Sequence, residues 1–217
     1  FCAEEENQVL LELESKQQHE KEIKKINDNK DLAGIPERFK KCTLENYIIE
    51  NQGQDNALKE SKKYLNNFET ERNIGSAMFY CGSFGTGKTH LAISILNNLI
   101  INKKLKGIYS TTMKMIRDIR SSYRDNNLSE QKLIDKYVNT ELLVLDEVGV
   151  QMGTDAEKLL IYEVINGRYE NYKPTIILSN LSFNGITKYL GARSIDRLKG
   201  KNKSMIIMDW ESYRSEI

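Results

Sequence analysis

The stretch that most constrains this chain is residues 77–90, AMFYCGSFGTGKTH. A short apolar run leads into a glycine-studded loop, and Lys-Thr then opens a segment in which Leu91, Ile95 and Leu99 recur at helical spacing. Gly82-x-x-x-x-Gly87-Lys88-Thr89 is a complete phosphate-binding loop motif, and the motif requires a strand before it and a helix after it. Its chemistry follows from its residues. The backbone N–H groups of Gly82, Ser83, Phe84, Gly85, Thr86 and Gly87 turn inward around an anion, Lys88 reaches the β and γ phosphates, and the Thr89 hydroxyl takes Mg²⁺. His90 closes the nucleotide-binding stretch as a helix-start residue with no catalytic role.

Around that loop the chain alternates strands and helices. Residues 54–71 read as a helix with Ala57, Leu58, Tyr64, Leu65 and Phe68 inward. Residues 107–111, 141–147, 175–179 and 204–208 read as further strands. Helices are predicted at 112–124, 129–138, 155–171, 183–190 and 194–198. Unbroken apolar strands separated by helices imply a parallel sheet covered on both faces. Residues 3–30 differ: they are rich in Glu, Lys, Gln and Asn, with only short apolar edges, so they predict a helical arm or linker. Gly34 and Pro36 mark the boundary, giving an arm at 1–33 and a core at 34–217. Phe39, Leu44 and Tyr47, just inside the core, serve equally well as the apolar wall of a base pocket or as ordinary packing.

Balanced charge, 32 Lys+Arg against 31 Asp+Glu, confines any nucleic-acid surface to a local patch. No run approaches the roughly eighteen apolar residues of a membrane helix. The start has neither the basic nor the apolar region of a secretory leader and no initiator Met, so it reads as beginning inside a longer protein. Cys2, Cys42 and Cys81 are scattered and read as reduced thiols of a cytoplasmic protein. Cys81 is expected in the core. Cys2 is open to a second reading as the last ligand of a truncated zinc knuckle.

Leu142–Leu145 followed by Asp146-Glu147 is a buried strand ending in two carboxylates, where ligands gather in open α/β sheets. At such a position the first carboxylate helps to hold Mg²⁺ and the second orients and deprotonates a water. Asn180 ends the next strand and offers a neutral amide to that water or to the γ-phosphate, or else forms a turn. Arg193 and Arg197 are one helical turn apart. They fit either an arginine supplied across a subunit boundary or plain ion pairs. Arg117, Arg120, Tyr123 and Arg124 combine basic groups with an aromatic face, as sequence-independent binding to single-stranded DNA requires, and as an ordinary solvated helix also provides.

The order Lys88-Thr89, Asp146-Glu147, Asn180, Arg193/Arg197 resembles an AAA+ ATPase. More narrowly, the chain resembles the DnaC family of replicative helicase loaders and their IstB-like relatives. The resemblance rests on Leu44-Glu45-Asn46-Tyr47, Gly53-Gln54-x-Asn56-Ala57-Leu58, GSFGTGKTHLA, LLVLDEVGVQ, LSN, GARSIDRL and the closing DWESYRS, which together span residues 34–217. It implies a three-layer core with a five-stranded parallel sheet, no helical lid domain, and an arm left from a helicase-binding region. It implies ATP and Mg²⁺ as ligands, with Lys88 and Thr89 on phosphate and metal, Asp146 on the metal, Glu147 as catalytic base and Asn180 as γ-phosphate sensor. Arg197, with Arg193 beside it, becomes the finger acting on the next subunit. The implied partners are a hexameric replicative helicase, single-stranded DNA and further copies of the chain in a spiral, with no membrane. The competing readings are an IstB-like transposition ATPase and an ATP-switched adaptor with little hydrolysis.

Overall fold

A computed structural model describes residues 2–122, 129–150, 153–199 and 203–213; within the first helix, side chains 2–7 and 9–14 lie outside the description, as does that of Lys203. Five strands, β1 (Ala77–Gly82), β2 (Gly107–Thr111), β3 (Leu142–Asp146), β4 (Thr175–Ser179) and β5 (Lys203–Met208), form one sheet in the order β2-β3-β4-β1-β5. Every pairing is parallel. The helices are α1 (Cys2–Leu32), α2 (Gln52–Asn66), α3 (Phe68–Asn73), α4 (Lys88–Asn102), α5 (Thr112–Ser121), α6 (Glu130–Asn139), α7 (Asp155–Glu170) and α8 (Phe183–Lys199), with a 3-10 turn at Glu37–Phe39.

The strands read as continuous apolar runs because both faces are covered. Met78, Tyr80, Val144, Ile176 and Leu178 point into a core shared with α2 and α4. Their neighbours Phe79, Cys81, Leu143, Leu145 and Ile177 point into a second core shared with α5, α6, α7 and α8. Alternation in a strand sends successive side chains to opposite faces, so both sets must be apolar. Cys81 is buried, as expected, and Cys42 joins it in the interior as a free thiol.

Two helices differ from the sequence expectation. The helix expected over 54–71 is divided at Asn67, where the backbone N–H returns to Leu65 and Lys63 and α3 restarts with Phe68 buried edge-on to Tyr64. Phe68 and, across the division, Tyr64 are both buried, as expected. The segments expected at 183–190 and 194–198 run as α8 with a break at Gly191 (φ 80°, ψ 161°). The end of α1 is anchored to the core. Asn29 is buried and its amide donates to the carbonyls of Lys104 and Leu105, the Ala33 carbonyl accepts from Tyr109 N–H, and Glu22 pairs with Lys104.

Parallel register brings the functional ends together. Cys81 lies opposite Ser179, and Thr111 opposite Asp146, so the ends of β1, β3 and β4 open on the same edge.

Candidate functional site: a phosphate-loop cleft at the strand ends

A cleft of about 530 Å³ opens at that edge, within the usual range for small-ligand sites. Gly85, Thr86, Gly87, Lys88, Thr89 and His90 line it on one side, with Phe84 at the loop apex; Asp146, Glu147 and Asn180 line the other. The structure thus gathers residues that are nearly a hundred positions apart.

The loop leaves β1 and enters α4 through Gly87, whose φ of 91° is closed to most side chains. A Cβ there would also sit 2.7 Å from the Tyr47 ring. The first turn of α4 therefore aims its N–H groups into the cleft, a natural site for an anion. Lys88 is 7% exposed, and its ammonium donates to the carbonyls of Gly82 (2.9 Å) and Ser83. Thr86 Oγ1 donates to Ser83 O, bracing the loop from within.

Asp146, 8% exposed, accepts three hydrogen bonds. Its Oδ2 accepts from Thr89 Oγ1 and from Tyr109 OH, each at 2.9 Å, and its Oδ1 accepts from Glu147 N–H. Burial first, and then the charge of Asp146, push the Tyr109 phenol far above its usual range, so it remains a donor. A hydroxyl and a carboxylate in contact beside a phosphate-binding loop form the hard oxygen donor set that Mg²⁺ prefers. The residues present therefore fit that ion. Among the described residues no separate group of three or more His, Cys, Asp or Glu side chains offers a metal site. The Cys2 side chain lies outside the described ones.

Glu147 follows at φ 57°, a left-handed conformation that costs a non-glycine residue of order 1 kcal/mol. Its neighbours hold it there: Val148 N–H donates to Leu178 O, and Ser179 Oγ donates to Val148 O. The same Ser179 Oγ accepts from Leu181 N–H, so one hydroxyl ties together the turn bearing Glu147 and the turn bearing Asn180. Glu147 itself is exposed at the cleft wall.

The open reading of the 39–47 segment divides. Phe39 and Tyr47 line the cleft, while Leu44 is buried in the core. His90 bonds the Thr43 carbonyl at 3.0 Å and meets Tyr47 edge-on, holding this segment against the start of α4. Burial pushes the Tyr47 phenol up to about 12, and its OH donates to Thr86 O.

Arg193 and Arg197 lie outside the cleft, and they differ from each other. Arg193 is exposed. Arg197 is half-buried, donating to Asn166 Oδ1 at 3.1 Å and stacking over Tyr169 at 4.8 Å, with Asp196 3.8 Å away. On α5, Arg117 is exposed and Arg120 pairs with Glu157 at 3.0 Å. Tyr123 and Arg124 lie outside the described residues, as do Arg214 and Ser215 of the closing motif.

Sequence reasoning passed over Tyr109 and the placement of Trp210. The signal for Tyr109 was a phenol within an otherwise apolar or small strand two positions before the residue paired with Asp146. Trp210 carried no signal beyond being the single tryptophan; its indole N–H donates to Thr86 O at 3.1 Å.

Comparison with known proteins gives the family and the fold. Residues 3–216 match the family described as IstB-like ATP binding protein. The replicative helicase loader DnaC of Escherichia coli (strain K12) is 36% identical over 185 residues, 85% of this chain and 74% of that protein. A crystal structure of the DnaC helicase loader is similar at a TM-score of 0.71 and 26% identity, covering 80% of this chain and all of that one. Replication initiator DnaA bound to AMPPCP and single-stranded DNA is similar at 0.64 and 25% identity, over 78% of this chain and 50% of that one.

Proposed function

The chain belongs to the IstB-like ATP-binding family, and on that premise we propose that it is an ATP-dependent loader of a hexameric replicative helicase onto single-stranded DNA. The observation that carries the proposal is the convergence of Lys88, Thr89, Asp146, Glu147 and Asn180 on one cleft, in a chain related to helicase loaders.

The mechanism follows from what each side chain can do. Lys88 swings from the carbonyls of Gly82 and Ser83 onto the β and γ phosphates of ATP, exchanging neutral acceptors for charged ones. The loop N–H groups and the start of α4 hold the remaining phosphate oxygens. Thr89 and Asp146 hold Mg²⁺, which supplies neutralisation of the charge carried by the transferred phosphoryl group. Glu147 orients a water and takes its proton, and Asn180 hydrogen-bonds the γ-phosphate or that water without adding charge. Phe39 and Tyr47 supply the apolar wall for the base.

Arg197, with Arg193 beside it, acts on the ATP of an adjoining protomer in a spiral of copies. Residues 34–217 are the ATPase domain, and residues 1–33 are a helical arm, the remnant of a helicase-binding region. Arg117, Arg120, Tyr123 and Arg124 grip single-stranded DNA by charge and stacking. The protein works in the cytoplasm. No helix among the described residues is long and apolar enough to cross a membrane.

The test is ATP turnover by the full chain, alone, with single-stranded DNA, and with a hexameric replicative helicase and DNA. Stimulation by DNA, and helicase deposited on the strand, are the expected results, with Lys88→Ala inactive. Wild-type turnover equal to that of Lys88→Ala would overturn the ATPase reading. Turnover coupled to a transposase and indifferent to helicase would favour the transposition reading within the same family.

A further inference from the structure

Residues 209–213 leave β5 and turn back against the phosphate loop, where Trp210 and Tyr213 reach the cleft wall. Four hydrogen bonds brace the loop here, two of them from this segment. Ser83 N–H donates to Met208 O at 3.0 Å, and Tyr213 N–H donates to Gly85 O at 3.2 Å. Trp210 Nε1–H donates to Thr86 O at 3.1 Å, and the same carbonyl accepts from Tyr47 OH at 3.3 Å. The contact is close: a Cβ on Gly85 would lie 1.8 Å from Ser212 Oγ, and one on Gly53 would lie 2.9 Å from the Trp210 ring.

The direction of these bonds matters more than their number. In a trans peptide the carbonyl and the following N–H point to opposite sides of the chain, and none of the described peptides is cis. Holding Gly85 C=O therefore fixes the direction of Thr86 N–H, opposite to it. Holding Thr86 C=O fixes that of Gly87 N–H in the same way. Both are loop amides of the kind that cradle phosphate.

We propose that Trp210 is a positioning residue for nucleotide binding: with Tyr47 and the Tyr213 backbone, it fixes the peptide planes of the phosphate loop, so that affinity for the phosphate chain depends on the segment after the last strand. The inference rests on the ATP-binding reading above. It adds a role for the closing DWESY segment and for a tyrosine that precedes α2, neither of which belongs to the loop motif. The carbonyl oxygen has two lone pairs and takes both donors, so losing one loosens its hold and losing both releases it.

The experiment uses the full chain and two probes, a fluorescent ADP analogue and inorganic tripolyphosphate as its competitor. Trp210→Phe keeps a ring over Gly53 and removes the donor; Tyr47→Phe does the same on the other side. Each single variant is expected to weaken both probes about twofold to tenfold, the effect of one neutral hydrogen bond. The double variant is expected to lose more than the product of the two, because the shared carbonyl then has neither donor. For Trp210→Phe, KM for ATP should rise in step, with kcat within about twofold of wild type, whereas general loss of structure lowers the folded fraction and kcat with it. Trp210 is the only tryptophan, so its emission in the wild type should shift on adding tripolyphosphate and stay unmoved in Lys88→Ala. Unchanged affinity in the double variant would overturn the proposal. So would a loss confined to the ADP analogue with tripolyphosphate binding intact, since the two rings would then be contacts for the base. If Trp210→Phe does not fold, Tyr47→Phe alone decides by the same two probes. A wild-type chain that binds neither probe would overturn the ATP-binding reading itself, a result separate from any failure of the variants.

Discussion

Two regions of this protein bury a cation among backbone carbonyls, and they do so to opposite ends. In the phosphate loop, Lys88 rests on the carbonyls of Gly82 and Ser83 at the wall of an open cleft. At the corner where α6, α7 and β4 meet, Arg168 is 1% exposed. It donates to the carbonyls of Tyr137, Val138, Thr140 and Pro174 and to Thr175 Oγ1. Burial lowers its pKa to about 9, so the guanidinium is still charged at neutral pH. The difference is geometric. A planar fork that reaches five acceptors at once is a fixture that locks loops together. An ammonium on a flexible stem beside a cavity can exchange a carbonyl for a phosphate. Burial of a charge alone therefore marks neither function nor structure; what the charge can turn towards decides.

Arg197 is the cation that can break this contrast, and the largest effect is expected from it. It is half-buried and engaged with Asn166 and Tyr169, which looks structural, yet it is proposed to act on a neighbour's ATP. Arg197→Ala should lower DNA-stimulated turnover by about 10³, the scale of a lost arginine finger, while thermal melting of the isolated chain moves little. Mixing Arg197→Ala with Lys88→Ala protomers should restore part of the turnover, because some interfaces then pair an intact loop with an intact arginine. No rescue, with a large fall in melting temperature, would move Arg197 to the structural class.

Next in size is Glu147→Gln, which keeps shape and removes the base. Turnover should fall by at least about 100-fold, with nucleotide affinity preserved in a binding titration. Arg168→Met sharpens the other side of the comparison. It leaves four carbonyls and a hydroxyl without their donor and should cost about 3 kcal/mol or more of stability, read by urea denaturation. Lys88→Ala in the same assay should cost far less.

The smallest effect concerns an ordinary pair for scale. Burial pushes the Asp118 carboxyl up, but hydrogen bonds from Lys136 (2.6 Å) and Tyr137 (2.7 Å) outweigh it and leave the pKa below the usual value. A depressed carboxylate stabilises the fold above its unfolded pKa, near pH 4, and loses that contribution as pH falls through the folded value. At one-third exposure the contribution is a few tenths of a kcal/mol. Asp118→Asn should flatten the decline of the urea midpoint between about pH 4 and pH 2 by that amount.

The residues proposed for catalysis were readable because each sits next to a local signal. Lys88 and Thr89 stand in a complete motif, Asp146 and Glu147 end an apolar run, and Asn180 ends another. Trp210 and Tyr109 were not readable as site residues. Trp210 stands 124 positions from the carbonyl it bonds, and nothing in its neighbours states that β5 returns beside β1. The helix division at Asn67 was not readable either: propensity and the i, i+4 spacing of Tyr64 and Phe68 both favour continuation. The differing roles of Arg193 and Arg197 were hidden too, since their spacing shows kinship on a helix and says nothing of Tyr169.

The amino-acid order alone determined the number and direction of the strands, the covered parallel sheet and the identity of the phosphate-binding loop. These follow from short-range periodicity and from residue types that tolerate few conformations. Tertiary structure decided which carbonyls are held, which cations are locked and which can turn. Those outcomes depend on donors and acceptors meeting across the fold, and such a meeting is fixed by strand order and register, which no local stretch of sequence contains.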